Sequence, residues 1–457
     1  MDKSFVQKDN VMNHEPKLIA AIDIGTTKIV AIVGRKMDNG KLQLLGMEQV
    51  PSIGVKRGVV LNIDETVASI KQAISSIESK LNIKLQDVYV GIAGQHIKSL
   101  RNRGYRFIES GFEITQEDVD HLFDDNYKIP VEAGEKIMHV IPQDYIVDNE
   151  MGVKNPVGMS GRRLEGNFHI VLGRIASVKN IEKCIRRVAL QLNDLILEPL
   201  ASSKSVLTEE EKEAGVVLVD IGGGTTDVAV FYDGIIRHTA VIPFGGNVVT
   251  SDIKEGCSVL YKQAESLKVQ FGSAMGDMAR EDMVVTIPGM AGWEPKEISF
   301  KSLAYIIQAR MEEIIDYVMY QIENSGYYDK VGAGIVLTGG GALLKNLPQL
   351  IKFRTGLDVR IGLPDQCLVG DVPPEAHLPN YSTSIGLVLS AMERPKRAIV
   401  EPELFGEVEP KWEESQSRKT VKKEKTKKEK SSYKTGNLFS GIKNGLVNIF
   451  DEKDVEM

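Results

Sequence analysis

One short pattern occurs twice in this chain and limits what it can become. Residues 216–232, VVLVDIGGGTTDVAVFY, set two apolar, β-branched runs (216–219 and 228–232) on either side of Asp220-Ile-Gly-Gly-Gly-Thr-Thr-Asp227. Short runs of that composition around a glycine cluster predict strand, turn, strand. Glycine permits backbone conformations and close approach that a Cβ would block, so successive N–H groups can converge on an anion. An acid just before such a turn does not attract phosphate. It makes sense where a divalent cation such as magnesium sits between carboxylate and phosphates, usually through waters. Residues 21–34, AIDIGTTKIVAIVG, repeat the plan, with Asp23 ahead of Gly25, Thr26, Thr27 and Lys28. Asp220 follows Asp23 by 197 positions, so each half of the chain offers one acid and one Gly-Thr-Thr tip. One glycine hairpin is as compatible with an ordinary turn as with a ligand loop. Two that face each other predict a nucleotide clamp. Asp23 and Asp220 then fix Mg2+ through water, while Gly25, Thr26 and Thr27 with Gly222, Gly223, Gly224, Thr225 and Thr226 hold phosphates.

A third glycine cluster follows at residues 336–342, VLTGGGA, where a strand is expected to run into Gly339, Gly340 and Gly341 and a helix to begin near 342. Such a junction brings backbone close to a ligand. It has no lysine in a G-x-x-x-x-G-K-[ST] arrangement and is not a P-loop. In this order DIGTT, DIGGGTTD and TGGG resemble the motifs of the actin, sugar kinase and heat-shock chaperone ATPases. In detail they are similar to the FtsA family of actin-like bacterial cell-division proteins, over about residues 18–392 and again at the C-terminus. The resemblance implies an α/β fold of the two-lobed, actin-like (ribonuclease-H-like) type that binds ATP and Mg2+, with at most weak ATPase activity. It places Glu198, in EPLASS, near the γ-phosphate as a water-positioning residue. It places Glu265 and Lys268, in AESLK, near the ribose and base, Lys28 among the nucleotide contacts, and Gly339, Gly340 and Gly341 on the adenosine and α-phosphate side. Read without the resemblance, Glu198 is also explained as a helix-start glutamate favoured by the dipole. Glu265 and Lys268, three apart on one helix face, are also explained as an intrahelical pair of a few tenths of a kcal/mol.

The 457 residues exceed a single core and suit two or more domains. Residues 1–17 read as a polar leader and 18–84 as the first lobe, with a helix over 64–81 begun by Asp64 as N-cap. Strand patterns at 88–93, 105–108 and 136–147, and a short helix over 116–123 begun by Thr115 with Asp118, outline an α+β unit at 85–166 inside the first half. The alternative is an elaborated edge of the first lobe. By resemblance the unit is the FtsA-type inserted subdomain, which contacts neighbouring subunits and later division proteins. The first lobe resumes over 167–206, with a strand at 167–173 and a helix capped by Ser177 whose apolar stripe runs from Val178 to Leu192. The second lobe occupies 207–395, with a small nucleotide-contacting subdomain at about 254–300 and a long, largely buried helix over 301–322.

Beyond Pro395 the composition changes. Residues 396–436 are charged and poor in apolar side chains, which predicts a flexible linker. Residues 437–452, NLFSGIKNGLVNIFDE, at 100° per residue bring Leu438, Phe439, Ile442, Leu446, Ile449 and Phe450 into an arc of about 120°. Lys443 sits at its edge, where its stem can snorkel. This predicts an amphipathic helix lying in a membrane surface; a helix folded back on the body or held in a partner's groove fits the same pattern. The segment from 418 to 457 carries eleven basic and six acidic residues, a net +5 that leaves −12 on the rest of a chain of net charge −7. An acidic body argues against nucleic acid as a partner, whereas a basic tail can meet anionic lipid.

Three widely spaced cysteines point to a reducing compartment and not to a disulfide framework or a metal site. The leader lacks an apolar signal region and no apolar run reaches the roughly 18 residues needed to span a bilayer. These features predict a cytoplasmic protein. The FtsA resemblance implies in addition a peripheral place on the inner membrane at the division septum, with the tubulin-like division-ring protein FtsZ, copies of itself and later division proteins as partners. A small-molecule kinase would need a base beside an acceptor pocket, and a chaperone a β-rich substrate domain where the charged linker stands. The nearest rival is another bacterial actin-like filament ATPase of the rod-shape or pilus-assembly type.

Overall fold

The structure, a computed structural model, describes residues 18–108, 113–288 and 294–393. The expected linker and the helix at 437–452 lie outside the described residues.

Both motif copies form the hairpins their patterns dictate, and each hairpin begins a sheet of the same design. In the first lobe, strands Leu18–Ile24, Lys28–Lys36 and Leu42–Pro51 form an antiparallel meander. Asp87–Ile92 and then Gln191–Leu197 add in parallel on the far side of the first strand. In the second lobe, Val216–Ile221, Thr226–Tyr232 and Ile235–Ile242 form the meander, and Ile335–Thr338 and Val359–Ile361 add in parallel. Taken in chain order within each lobe, both sheets read 3-2-1-4-5. The first-lobe sheet gains one short strand, Leu368–Val369, beside its third. The central strands are apolar on both faces because helices cover both. Helices Ile63–Leu81 and Ile175–Arg187 pack on the outer face of the first sheet, and the 26-residue Phe300–Ser325 on that of the second.

Glu198–Val206 and Ser382–Glu393 run together between the two sheets. Their contact is so close that a Cβ on Gly386 would stand 1.8 Å from the carbonyl oxygen of Ala201. Small residues at a helix crossing allow this backbone approach. The crossing helices therefore form the floor shared by both hairpins.

Several sequence expectations are corrected. Strand 88–93, assigned to the insert at 85–166, is Asp87–Ile92 and belongs to the first-lobe sheet, paired in parallel on both sides. Its unbroken apolar run is the mark of a central parallel strand. Residues 167–173, assigned to the resumed first lobe, lie within Arg163–Arg174, which pairs with Lys98–Phe107 and Glu135–Val147. The insert's four-stranded sheet thus runs from Lys98 to Arg174 and closes with Glu150–Val153 over a core that includes Leu122, Leu164 and Phe168. Its helix, Gln116–Asn126, has the expected Thr115–Asp118 capping box.

Helix Ile63–Leu81 is capped by Asn62, whose side chain accepts from the N–H groups of Asp64 and Glu65, so Asp64 serves in the first turn instead. Ser177 is a buried residue inside Ile175–Arg187 rather than its cap, and Leu192 has passed into the next strand. After the triple glycine, Gly340–Leu343 is a tight 3-10 turn, and the α-helix starts only at Leu347, where Pro348 favours initiation. No α-helix N-terminus opens at residue 342.

Candidate functional site

The pairing of each hairpin fixes what its tip presents. In the first, Ile24 faces Ile29 and the turn is Gly25, Thr26, Thr27 and Lys28. In the second, Ile221 faces Thr226 and the turn is Gly222, Gly223, Gly224 and Thr225. The two tips meet. A Cβ on Gly223 would stand 2.2 Å from Thr27 Cγ2, and one on Gly224 2.5 Å from Thr26 Oγ1. Only a glycine tip can approach the threonine pair this closely.

Behind the tips lies a cavity of about 510 Å³, a size suited to a nucleoside. Thr27, Gly222, Gly223, Glu265, Lys268 and Gly340 all line it, together with Gly341. Of the two readings of Glu265 and Lys268, the structure contains the intrahelical pair, and both residues also stand at the cavity wall. The ion pair measures 2.8 Å within helix Tyr261–Phe271. Lys268 Nζ further donates to the Gly246 carbonyl at 2.9 Å and the Thr250 hydroxyl at 2.8 Å.

The paired threonines divide their tasks. Thr226 is fully buried and donates to the Phe244 carbonyl at 2.9 Å; the Thr225 hydroxyl turns to Asp227 at 3.4 Å. Thr26 accepts from the N–H of Gly58 at 3.0 Å. Of the four, Thr27 is the one at the cavity wall. The Gly222 N–H closes its own turn on the Thr225 carbonyl at 2.9 Å.

Beneath the tips the acids gather. Asp23 accepts from the Ser384 hydroxyl at 2.8 Å. Asp220 accepts from Ser202 at 2.8 Å and from Thr383 at 2.9 Å. Gly339, at φ +81°, backs onto Asp220, and a Cβ there would stand 2.3 Å from the carboxylate. Glu198 opens its crossing helix and lies against Gly91 of the first sheet, whose Cβ would stand 3.0 Å from its carboxylate.

Sequence reasoning did not single out Asp227. It lies directly opposite Asp220 in the hairpin, is buried, and has one carboxylate oxygen without a hydrogen-bond partner. The signal was in the motif itself: residues opposite each other in an antiparallel pair share a face, so the turn that places 221 against 226 places 220 beside 227.

Burial pushes the carboxyls of Asp23 and Asp220 above the usual carboxylate range, against the pull of Lys28 and of their hydroxyl partners. Burial, then the charge of Asp220, raises Asp227 well above it. Glu198 is raised likewise by burial and by Asp23, Asp227 and Asp220. Lys28 is pulled down to about 8 by burial, against the attraction of Asp23 and Asp220. Its ammonium donates to the Asn380 carbonyl and lies 3.9 Å from the centre of the Tyr381 ring.

Four carboxyls and one lysine leave the cleft short of positive charge, and the unpartnered oxygen of Asp227 marks the same deficit. These residues fit a divalent cation. Among the described residues no three His, Cys, Asp or Glu side chains converge closely enough to ligate one directly. Among the described residues, too, no helix is long and apolar enough to cross a membrane.

The paired 3-2-1-4-5 sheets, the crossing helices and the facing hairpins define an actin-like ATPase fold. A solved structure of the PilM–PilN type IV pilus biogenesis complex superposes with a TM-score of 0.58 at 14% identity, covering 82% of this chain and 99% of that one. Sequence gives the narrower class. The model of the cell division protein FtsA matches residues 217–386, and that of the SHS2 domain inserted in FtsA matches residues 94–172. Cell division protein FtsA of Pseudomonas aeruginosa is 40% identical over 378 residues, 83% of this chain and 90% of that protein. The Neisseria meningitidis protein of that name is 40% identical over 381 residues, 83% and 91% of the two chains. That of Escherichia coli K12 is 37% identical over 379 residues, 81% and 90%. The chain belongs to the FtsA family of cell-division proteins.

Proposed function

We propose that this chain is an ATP-binding, actin-like protein that assembles with copies of itself at the division site and tethers FtsZ to the cytoplasmic membrane. The observation that carries the nucleotide part is the opposition of the two hairpin tips, with carboxylates below them and the cavity behind. Family membership supports the division role, the FtsZ partner and contacts with later division proteins.

In this reading Lys28, Thr27 and the backbone of Gly25, Gly223 and Gly224 hold phosphates, with the Thr26, Thr225 and Thr226 hydroxyls bracing the turns. Glu265 and Lys268 flank the adenosine, and Gly340 and Gly341 give it a wall without side chains. Asp23 and Asp220 hold Mg2+ through water, and bound Mg2+ supplies the positive charge that this cluster and the phosphates lack. Glu198, on the floor between the sheets, orients a water toward the terminal phosphate.

The membrane contact is assigned to residues 437–452, outside the described residues, on the strength of their apolar arc and the preceding lysines. Each lysine near an anionic surface adds about 1 kcal/mol of attraction. Sedimentation with anionic liposomes, with and without ATP, tests the assignment. The full chain should pellet with lipid, and a version ending near Lys396 should stay in solution while binding ATP as before. Equal sedimentation of the two would overturn it.

A further inference from the structure

The two carboxylates assigned to the metal belong to different lobes, yet one helical turn touches both. Asp23 is the penultimate residue of the first strand of the first sheet, and Asp220 of the first strand of the second. Helix Ser382–Glu393 begins with Ser-Thr-Ser. Its Thr383 hydroxyl donates to Asp220 at 2.9 Å, and the next residue, Ser384, donates to Asp23 at 2.8 Å. Ser384 and Asp23 are both buried. Ser382 anchors the turn: its hydroxyl accepts from Thr338 at 2.7 Å and its carbonyl accepts from Ser205 at 2.7 Å. Ser202, on the other crossing helix, joins Thr383 at Asp220, with the two hydroxyls 2.9 Å apart. The segment holding the turn is thus tied at three successive residues to the second lobe, the second carboxylate and the first carboxylate.

A hydroxyl supplied from within each lobe would satisfy each carboxylate equally well but would leave their separation to the lobes. Donors on adjacent residues of a rigid helix make that separation a property of the helix. A cation held through waters is sensitive to it, because groups that orient the ligands of a metal contribute through their geometry. We infer that Thr383 and Ser384 are positioning residues that set the spacing and orientation of Asp220 and Asp23 for a hydrated divalent cation. This rests on the reading of the cleft as an Mg-ATP site. It assigns the crossing helix a second task beyond packing.

The test compares ATP affinity in excess Mg2+ and in excess EDTA, by titration calorimetry on the full chain, for the parent, Ser384→Ala, Thr383→Val and Thr383→Ser. The readout is the ratio of the two affinities. Loss of an outer partner of a metal ligand typically weakens metal affinity about 10- to 100-fold. Ser384→Ala should therefore cut the Mg2+ enhancement at least about tenfold, with the affinity in EDTA within about twofold of the parent. Thr383→Val should cut it less, because Ser202 still serves Asp220, and Thr383→Ser should keep it. Thr383→Val preserves shape, so it carries the test should Ser384→Ala fail to fold. An unchanged ratio in the folded variants lacking the hydroxyl, a parallel fall in both affinities, or a Thr383→Ser ratio as poor as that of Thr383→Val would overturn the inference alone. A parent whose ATP affinity ignores Mg2+ would overturn the Mg-ATP reading, and the inference with it.

Discussion

The first hairpin keeps its charges near balance, and the second does not. Asp23 shares its neighbourhood with Lys28, at the end of its own turn, and with one hydroxyl. Asp220 has Asp227 across the strand pair, two hydroxyls, and a turn whose carbonyls at 222 and 223 accept the N–H groups of Gly246 and Asn247. The same strand, turn and strand thus yield one loop that brings its own cation and one that must be given one. Burial of Asp227 is tolerated because it raises the carboxyl well above the usual carboxylate range, toward its neutral form. The hairpins are copies in fold and complements in charge.

Glu198 belongs to neither hairpin and feels the aspartates of both, so its loss should have the largest effect. Glu198→Ala should leave ATP affinity nearly intact and reduce whatever hydrolysis the parent shows by about 10²- to 10⁴-fold. Phosphate-release assays on protein shown to bind ATP would check it, and undiminished turnover would remove Glu198 from the mechanism.

Next in size are the two carboxylates themselves. Asp220→Asn should weaken Mg-ATP binding by about 10- to 100-fold while changing metal-free binding little. Asp23→Asn should lose the Mg2+ enhancement as well, but it also frees Lys28 from its acid, so metal-free ATP should bind as tightly as to the parent or more tightly. Calorimetry in EDTA separates the two. Equal behaviour of the two variants there would show that the charge difference between the hairpins does not matter to phosphate.

The smallest effect concerns pH and the lysine of the first hairpin. Burial holds the Lys28 ammonium to about 8, below the usual lysine value near 10.4. Phosphate favours the charged form, so ATP binding takes up a proton above pH 8 and affinity should fall as pH rises from 7 to 9, by about tenfold. Without nucleotide the sign reverses for stability. The unfolded chain holds its proton to higher pH than the folded one, so this group makes the fold more stable as pH rises from 8 toward 10.5. Lys28→Met should flatten both trends; an affinity profile that stays steep in this variant would place the titrating group elsewhere.

How much of this was legible in the chain follows from the range of the forces involved. The hairpins, helix Tyr261–Phe271 and the capping box at Thr115 rest on residues within a few positions of one another, and pattern alone found them. The insert's limits were misplaced because strand Asp87–Ile92 and the run at 167–173 look alike along the chain and differ only in which sheet they join. The expected helix after Gly341 gave way to a 3-10 turn, since glycine favours no regular structure and Pro348 starts the helix later. Asp227 was visible but unread. The hydroxyls of Ser202, Thr383 and Ser384 carried no signal, because Ser384 lies 361 positions from the aspartate it serves.

A crystal structure of the chain with Mg2+ and a non-hydrolysable ATP analogue would show whether one Mg-ATP lies between two hairpins of unequal charge. The phosphates should lie between Gly25–Lys28 and Gly222–Thr225, the adenosine in the cavity beside Glu265 and Lys268, and the metal on waters held by Asp23 and Asp220. A nucleotide bound elsewhere, or bound in the cleft with no metal near either aspartate at saturating Mg2+, would contradict this arrangement.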